Sequence, residues 1–267
     1  MNTLSILLNR TSLFMGLKAL APLAGKANQG RPHIEGIHLA IDQNANVIMT
    51  ATDGHCAGRL TLATVCGDGT DGHGAGFTSN GVLGWSDTLS VILPPDTVKG
   101  LLQSSDLKSR SGSEHVLLKI NGSTVTVTFG KVTLCAGDDL DWGNPIDATP
   151  NRVTLPVNTT DVFPPIAAVW GESKISADGA PFDLTATLAP RLFMRCIKAF
   201  DVLGAEAVQF HQQPGATKLD PVHMSAWLGA GRYGSPGLIS LQICAMPIRA
   251  DKRAPWGIVP TWGVKAA

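Results

Sequence analysis

HVLLKIN ends on Asn121, Gly122 follows, and STVTVTFGKVTLCAG begins directly after it. An Asn-Gly pair between two β-rich runs supplies the positive-φ positions of a tight hairpin turn. In the second run Val125, Val127 and Phe129 alternate with threonines, the period of a strand with one buried face. The chain therefore contains an antiparallel hairpin, and its fold must supply a sheet around that hairpin and something apolar to cover it.

The cover comes from helical stretches. Residues 9–23 put Leu13, Phe14, Leu17, Leu20 and Ala21 on one face, and Pro22 disfavours continuation. Pro94-Pro95-Asp96 starts a second helix carrying Val98, Leu101 and Leu102. A third, over residues 190–200, turns Leu192, Phe193, Cys196, Ile197 and Phe200 inward. Between them lie expected strands at 33–41, 47–52, 59–64 and 89–93, then 153–157, 182–188, 207–211, 217–223 and 238–246. Residues 66–81 are a glycine-rich loop, and 104–114 a polar, serine-rich linker. This order of elements predicts an α+β fold with helices laid on antiparallel sheets.

The irregular segment 137–152, with Trp142, Pro145 and Pro150, reads as a boundary. The expected organisation is a domain over 1–150, a shorter one over 151–250 and a C-terminal extension over 251–267. At 44% hydrophobic and 16% charged residues, the chain can bury a core rather than stay disordered. Its 21 basic and 21 acidic side chains cancel, so any surface that binds a polyanion must be local. Cys56, Cys66, Cys135, Cys196 and Cys244 form no C-x-x-C. They read as thiols of a reducing compartment, the cytoplasm. The N-terminal stretch lacks a basic leader and is interrupted by Arg10 and Lys18, so neither a signal peptide nor a membrane span is expected.

The stretch ATDGHCAGRL places Asp53 beside His55. A catalytic Asp-His pair needs a nucleophile and an oxyanion site, and no G-x-S-x-G or other evident serine accompanies it. A metal site needs spaced ligands. His55, Asp71 and His73 are near in sequence, but there is no H-E-x-x-H or C-x-x-C. Nor is there a G-x-x-x-x-G-K-[ST] for a nucleotide. Neither catalytic residues, a metal nor a cofactor is expected, and Asp53-Gly54 reads as turn chemistry.

The same stretch resembles the ATDGHRLA signature in the middle domain of the bacterial DNA polymerase sliding clamp, the polymerase III β subunit. Further matches keep the family's order. HIEGIHLAID, SVILPPDTVKGLL and HVLLKINGSTVTVTFGKVTLCAG resemble its middle domain, and DDLDWGNPIDATP its interdomain segment. FDLTATLAPRLFMRCIKAFDVLGAEAVQFHQQ and LISLQICAMPIRA resemble its last domain, including an MPMR-type ending. The resemblance spans roughly residues 5–250. It departs in three respects. Nothing corresponds to the family's first domain. Only 24 residues, 158–181, stand where the family has a helix and several strands. Cys56 replaces the arginine after Asp-Gly-His.

The resemblance implies DNA-clamp-like domains and a processivity factor that performs no bond chemistry. Its partners would be duplex DNA, held independently of sequence, and short peptides of polymerases and clamp loaders. For DNA, Arg191, Arg195 and Lys198 recur at i, i+4 and i+7 on one helix, with Arg10, Lys18 and Lys99 on the other two. By residue type alone that stripe is equally a solvated helix face. For the peptide pocket, the matching positions are Ile34, Thr52, Gly54, His55, Pro150, Val153, Met246, Pro247, Ile248 and Arg249. Met246 and Ile248 are equally core residues of a last strand. If each chain supplies two domains, three copies would close a six-domain ring, a homotrimer. The alternative is a clamp-like interaction module of a phage or mobile element that never surrounds DNA.

Overall fold

A computed structural model of the chain describes residues 4–27, 29–42, 46–64, 82–83, 90–108, 115–129, 151–164, 188–211, 221–228 and 238–247. Strand β1 (Leu4–Asn9) runs straight into helix α1 (Arg10–Leu20), and residues Ala21–Leu23 close it with a 3-10 turn. The Asn9 side chain accepts from the backbone N–H of Ser12 at 3.0 Å, satisfying one of the donors that a helix start leaves orphaned. Strands β2 (Ile37–Ile41), β3 (Val47–Thr52) and β4 (Cys56–Leu62) then form a meander. After β5 (Val82–Leu83) come β6 (Ser90–Leu93), α2 (Pro95–Gln103) and α3 (Ser105–Lys108). Then follow β7 (His115–Asn121), β8 (Thr124–Phe129) and β9 (Asn151–Pro156). The last elements are α4 (Pro190–Val202), β10 (Gln209–His211), β11 (Val222–Trp227) and β12 (Leu238–Ala245).

The strands make two antiparallel sheets. One has five strands in the order β5-β1-β7-β8-β9, the other seven in the order β10-β11-β12-β4-β3-β2-β6. The topology repeats a unit of one strand, one helix and three strands. β1 opens the first unit but joins the sheet made by the three strands of the second, pairing with β7. β6 opens the second but joins the sheet made by the three strands of the first, pairing with β2. Each unit thus closes the other's sheet, and α1 contacts both sheets in one apolar cluster. A further helix and three strands, α4 and β10–β12, dock through β12 onto β4. Leu241 lies opposite Leu60, and Ala245 opposite Cys56. This is the expected α+β architecture.

Four differences from the sequence reading have physical causes. β1 was unforeseen because it lies inside its sheet, and Ile6, Leu7 and Leu8 are all buried. A short continuous apolar run carries no strand period. Part of the 104–114 linker is α3, held because Leu107 is buried and Arg10 Nη1 donates to the Asp106 carbonyl at 2.9 Å. The strand expected at 217–223 is β11, further along. There Val222, Met224 and Ala226 point into the core and alternate with His223, Ser225 and Trp227. The strand meant to open the second domain, β9, instead completes the second unit by pairing with β8. The glycine-rich loop, the strand expected at 182–188 save its last residue, and the C-terminal extension lie outside the described residues.

Candidate functional site

The ATDGHC turn joins β3 to β4 and is cross-linked by its own side chains. Asp53 Oδ1 accepts from the backbone N–H of His55 at 2.8 Å and of Cys56 at 3.0 Å. Thr52 Oγ1 donates to the Cys56 carbonyl at 2.7 Å and accepts from Gly54 N–H at 3.1 Å. Gly54 has φ +86°, a left-handed conformation that costs glycine nothing. The result is a rigid corner with Gly54 and His55 exposed at its tip.

Two remote segments converge on that corner. The Met246 N–H donates to the His55 carbonyl at 2.9 Å, so the residue following β12 is pinned to the turn. The Gly25 N–H reaches both the Thr52 carbonyl (2.9 Å) and the Ile34 carbonyl (3.1 Å), drawing Ile34 in. Of the expected pocket residues, the structure therefore brings together Ile34, Thr52, Gly54, His55 and Met246, with Pro247 next in the chain. Ile34 and Thr52 are buried and form the backing, whereas Met246 is 41% exposed. Val153 is elsewhere. It sits opposite Val127 in the five-stranded sheet, packed on the core. Pro150, Ile248 and Arg249 lie outside the described residues.

The expected cations divide in the same way. Arg191 and Lys198 are exposed on α4, Lys18 on α1 and Lys99 on α2, and α1 packs against both other helices. Arg10 does not face solvent: it is 6% exposed and bonded to α3. Arg195 also leaves the free stripe. Its Nη2 lies 2.6 Å from Asp53 Oδ2 and 3.1 Å from Cys56 Sγ, which fastens α4 to the turn. Burial alone pushes the Asp53 carboxyl up. The Cys56 and His55 N–H groups, then Arg195, pull it further the other way, and it ends below the usual carboxylate value. No local sequence signal announces a contact between residues so far apart. Among the described residues there is no group of three or more His, Cys, Asp or Glu placed to hold a metal ion. No described helix is long and apolar enough to cross a membrane.

No protein-family model matches the chain, and no curated protein matches its sequence. Solved structures do match its fold. One is a β clamp of Helicobacter pylori, 12% identical, with 92% of this chain and 67% of that one covered and a TM-score of 0.52. Another is a putative DNA polymerase III β subunit of Eubacterium rectale, 10% identical over 91% of this chain and 65% of that one, with a TM-score of 0.56. A DNA polymerase sliding clamp of Pseudomonas aeruginosa is 12% identical over 92% and 66%, with a TM-score of 0.50. The chain spans about two thirds of the length of these proteins. It has the sliding-clamp fold in a divergent form.

Proposed function

We propose that this chain, built on the sliding-clamp fold, is a non-enzymatic processivity factor that surrounds duplex DNA and offers a pocket to polymerase and clamp-loader peptides. One observation carries the reading: the Met246 N–H to His55 carbonyl bond. The resemblance assigns the ATDGH turn and the MPIR ending to a single pocket, and that bond joins them although 190 residues intervene between the two positions. Exposed Met246 gives an adaptable apolar contact, and Gly54 lets a peptide backbone come close. Arg191, Lys198, Lys18 and Lys99 supply exposed cations on three helices, suited to phosphates rather than base edges. The buried free thiols Cys56, Cys196 and Cys244 suit the cytoplasm.

A ring needs several copies, and we propose three. A second reading, the non-encircling interaction module, is favoured by one feature. Only 24 residues, 158–181, stand where the resemblance calls for a helix and several strands. Retention on DNA separates the two. Protein loaded on a nicked circular plasmid should stay bound in high salt and be released when the circle is cut once. Equal loss from circle and linear DNA would leave the interaction module. Light scattering at a mass near three times 28.0 kDa would support the trimer, and a monomer at every concentration would sink it.

A further inference from the structure

We propose that His211 and His223 form a two-nitrogen site for a divalent late transition-metal ion, zinc above all, that clasps edge strand β10 to β11. Among the described residues β10 is three residues long and pairs with β11 alone, at the edge of the seven-stranded sheet. The register sets His211 directly opposite His223. Side chains at opposed positions of an antiparallel pair leave the same face, with Cβ atoms about 4.5–5.5 Å apart. That face is the outer one: Val222, Met224 and Ala226 turn into the core, and His223 and Ser225 turn away from it. His211 Nε2 meets Ser225 Oγ at 2.9 Å, which places its ring on that face as well. Both histidines are partly exposed, so an ion can reach them from solvent.

The chemistry of the pair suits one class of ion. Imidazole nitrogens favour zinc, copper and nickel, whereas magnesium and calcium take oxygen. Two nitrogens on one tetrahedral zinc sit about 3.3 Å apart, given Zn–N bonds of about 2.0–2.1 Å, and rings rooted about 5 Å apart can reach that spacing. Ser225 distinguishes the nitrogens of His211. With Nε2 held by the hydroxyl, Nδ1 is left for the metal, and the hydrogen bond fixes the ring's orientation. His223 need not lose a proton first. Burial, and then His211 beside it, hold its pKa below the usual value, so it is neutral at neutral pH. Cys244 continues the row, opposite His223 on β12, but it is 1% exposed and burial pushes its thiol up to about 12. Among the described residues no third His, Cys, Asp or Glu joins the pair. Water therefore completes the coordination, and the ion's two protein bonds cross from one strand to the other. Because both ligands are in place only when the strands are paired, the ion stabilises the edge by mass action.

The test strips the full chain of metal with a chelator, removes the chelator and titrates the protein with zinc chloride by calorimetry. The expected result is a single zinc ion bound per chain, no binding of magnesium chloride, and a melting temperature that rises with added zinc. His211→Asn and His223→Asn should each weaken zinc binding at least about tenfold. His33→Asn, at an exposed histidine elsewhere, should bind zinc as the unsubstituted protein does. If either site variant fails to fold, long-range proton–nitrogen NMR spectra of the unsubstituted protein decide instead. The ring nitrogens of His211 and His223 should shift together when zinc is added and return when chelator follows. Absence of zinc binding, affinity undiminished in either site variant, or shifts confined to other histidines would overturn the proposal.

Discussion

Arg195 Nη2 and Asp53 Oδ2 lie 2.6 Å apart across 142 residues of sequence, the one ion pair among the described residues. Asp53 also accepts the two backbone N–H groups that shape its turn, so its removal undoes more than the pair. Asp53→Ala should cost about 2–3 kcal/mol and Arg195→Met, on the more exposed partner, about 1 kcal/mol. Urea unfolding gives both values. Equal losses would mean that the turn does not depend on the carboxylate. The folded Asp53 carboxyl lies below its unfolded value, so this stability is complete above about pH 4 and lost as pH falls through the folded value. In Asp53→Asn that acid-dependent part should vanish.

His38 should make the fold sensitive to milder acid. Its ring stacks on Phe163 with centroids 4.5 Å apart, and Nε2 meets Ser90 Oγ at 2.8 Å. Burial holds its pKa at about 4. The unfolded chain takes up a proton below about pH 6.5, and the folded one resists it. The contribution is therefore full above pH 6.5 and falls steadily towards pH 4. His38→Asn should flatten the stability profile across that window. An unchanged profile would place the acid sensitivity in another group.

Gly36 has φ +124°, and a Cβ there would collide with the Leu93 carbonyl oxygen of the neighbouring strand. Gly36→Ala should cost roughly 1–3 kcal/mol, because the obstacle is backbone. A denaturant midpoint equal to that of the unsubstituted protein would refute this.

Arg191→Glu with Lys198→Glu should weaken binding to duplex DNA at least about tenfold in low salt. It should also lower the slope of log affinity against log salt by about 1.8. Both side chains are exposed, so the melting temperature should hardly move. Undiminished affinity would remove α4 from the DNA-facing surface.

Met246→Ala should reduce affinity for a polymerase-tail peptide about five- to tenfold, near 1 kcal/mol. Isothermal titration measures it, and equal affinity would exclude Met246 as a contact.

The sequence was legible where the signal is local. The Asn121-Gly122 hairpin, the apolar face of α1 and the turn chemistry of Asp53-Gly54 all lie within a few residues of one another. What it hid is long-range. The 3.6-residue period placed Arg195 on a face with Arg191 and Lys198, but only the docking of α4 onto β4 and the turn shows that Arg195 is already engaged. Arg10 misled in the same way: a basic residue opening a helix reads as exposed until α3 covers it. β9 carried the right strand composition, and its sheet was set by pairing with β8, which periodicity does not encode. Met246 was found through resemblance. Its bond to His55 links the end of one strand to a corner formed almost two hundred residues earlier, beyond the reach of any pattern in the sequence.

The seam between β4 and β12 also sets a timetable. β4 ends at residue 62 and its partner begins at residue 238, so nascent β4 must wait for about 180 more residues before that edge is covered. At ordinary rates of synthesis the delay is on the order of ten to forty seconds, far longer than a hairpin takes to form. For that time the growing chain carries an open strand edge, an invitation to pair with a neighbouring nascent chain. Truncations that stop short of residue 238 should therefore aggregate rather than yield a smaller soluble protein, and β12 decides whether β4 and the strands beside it stay in solution.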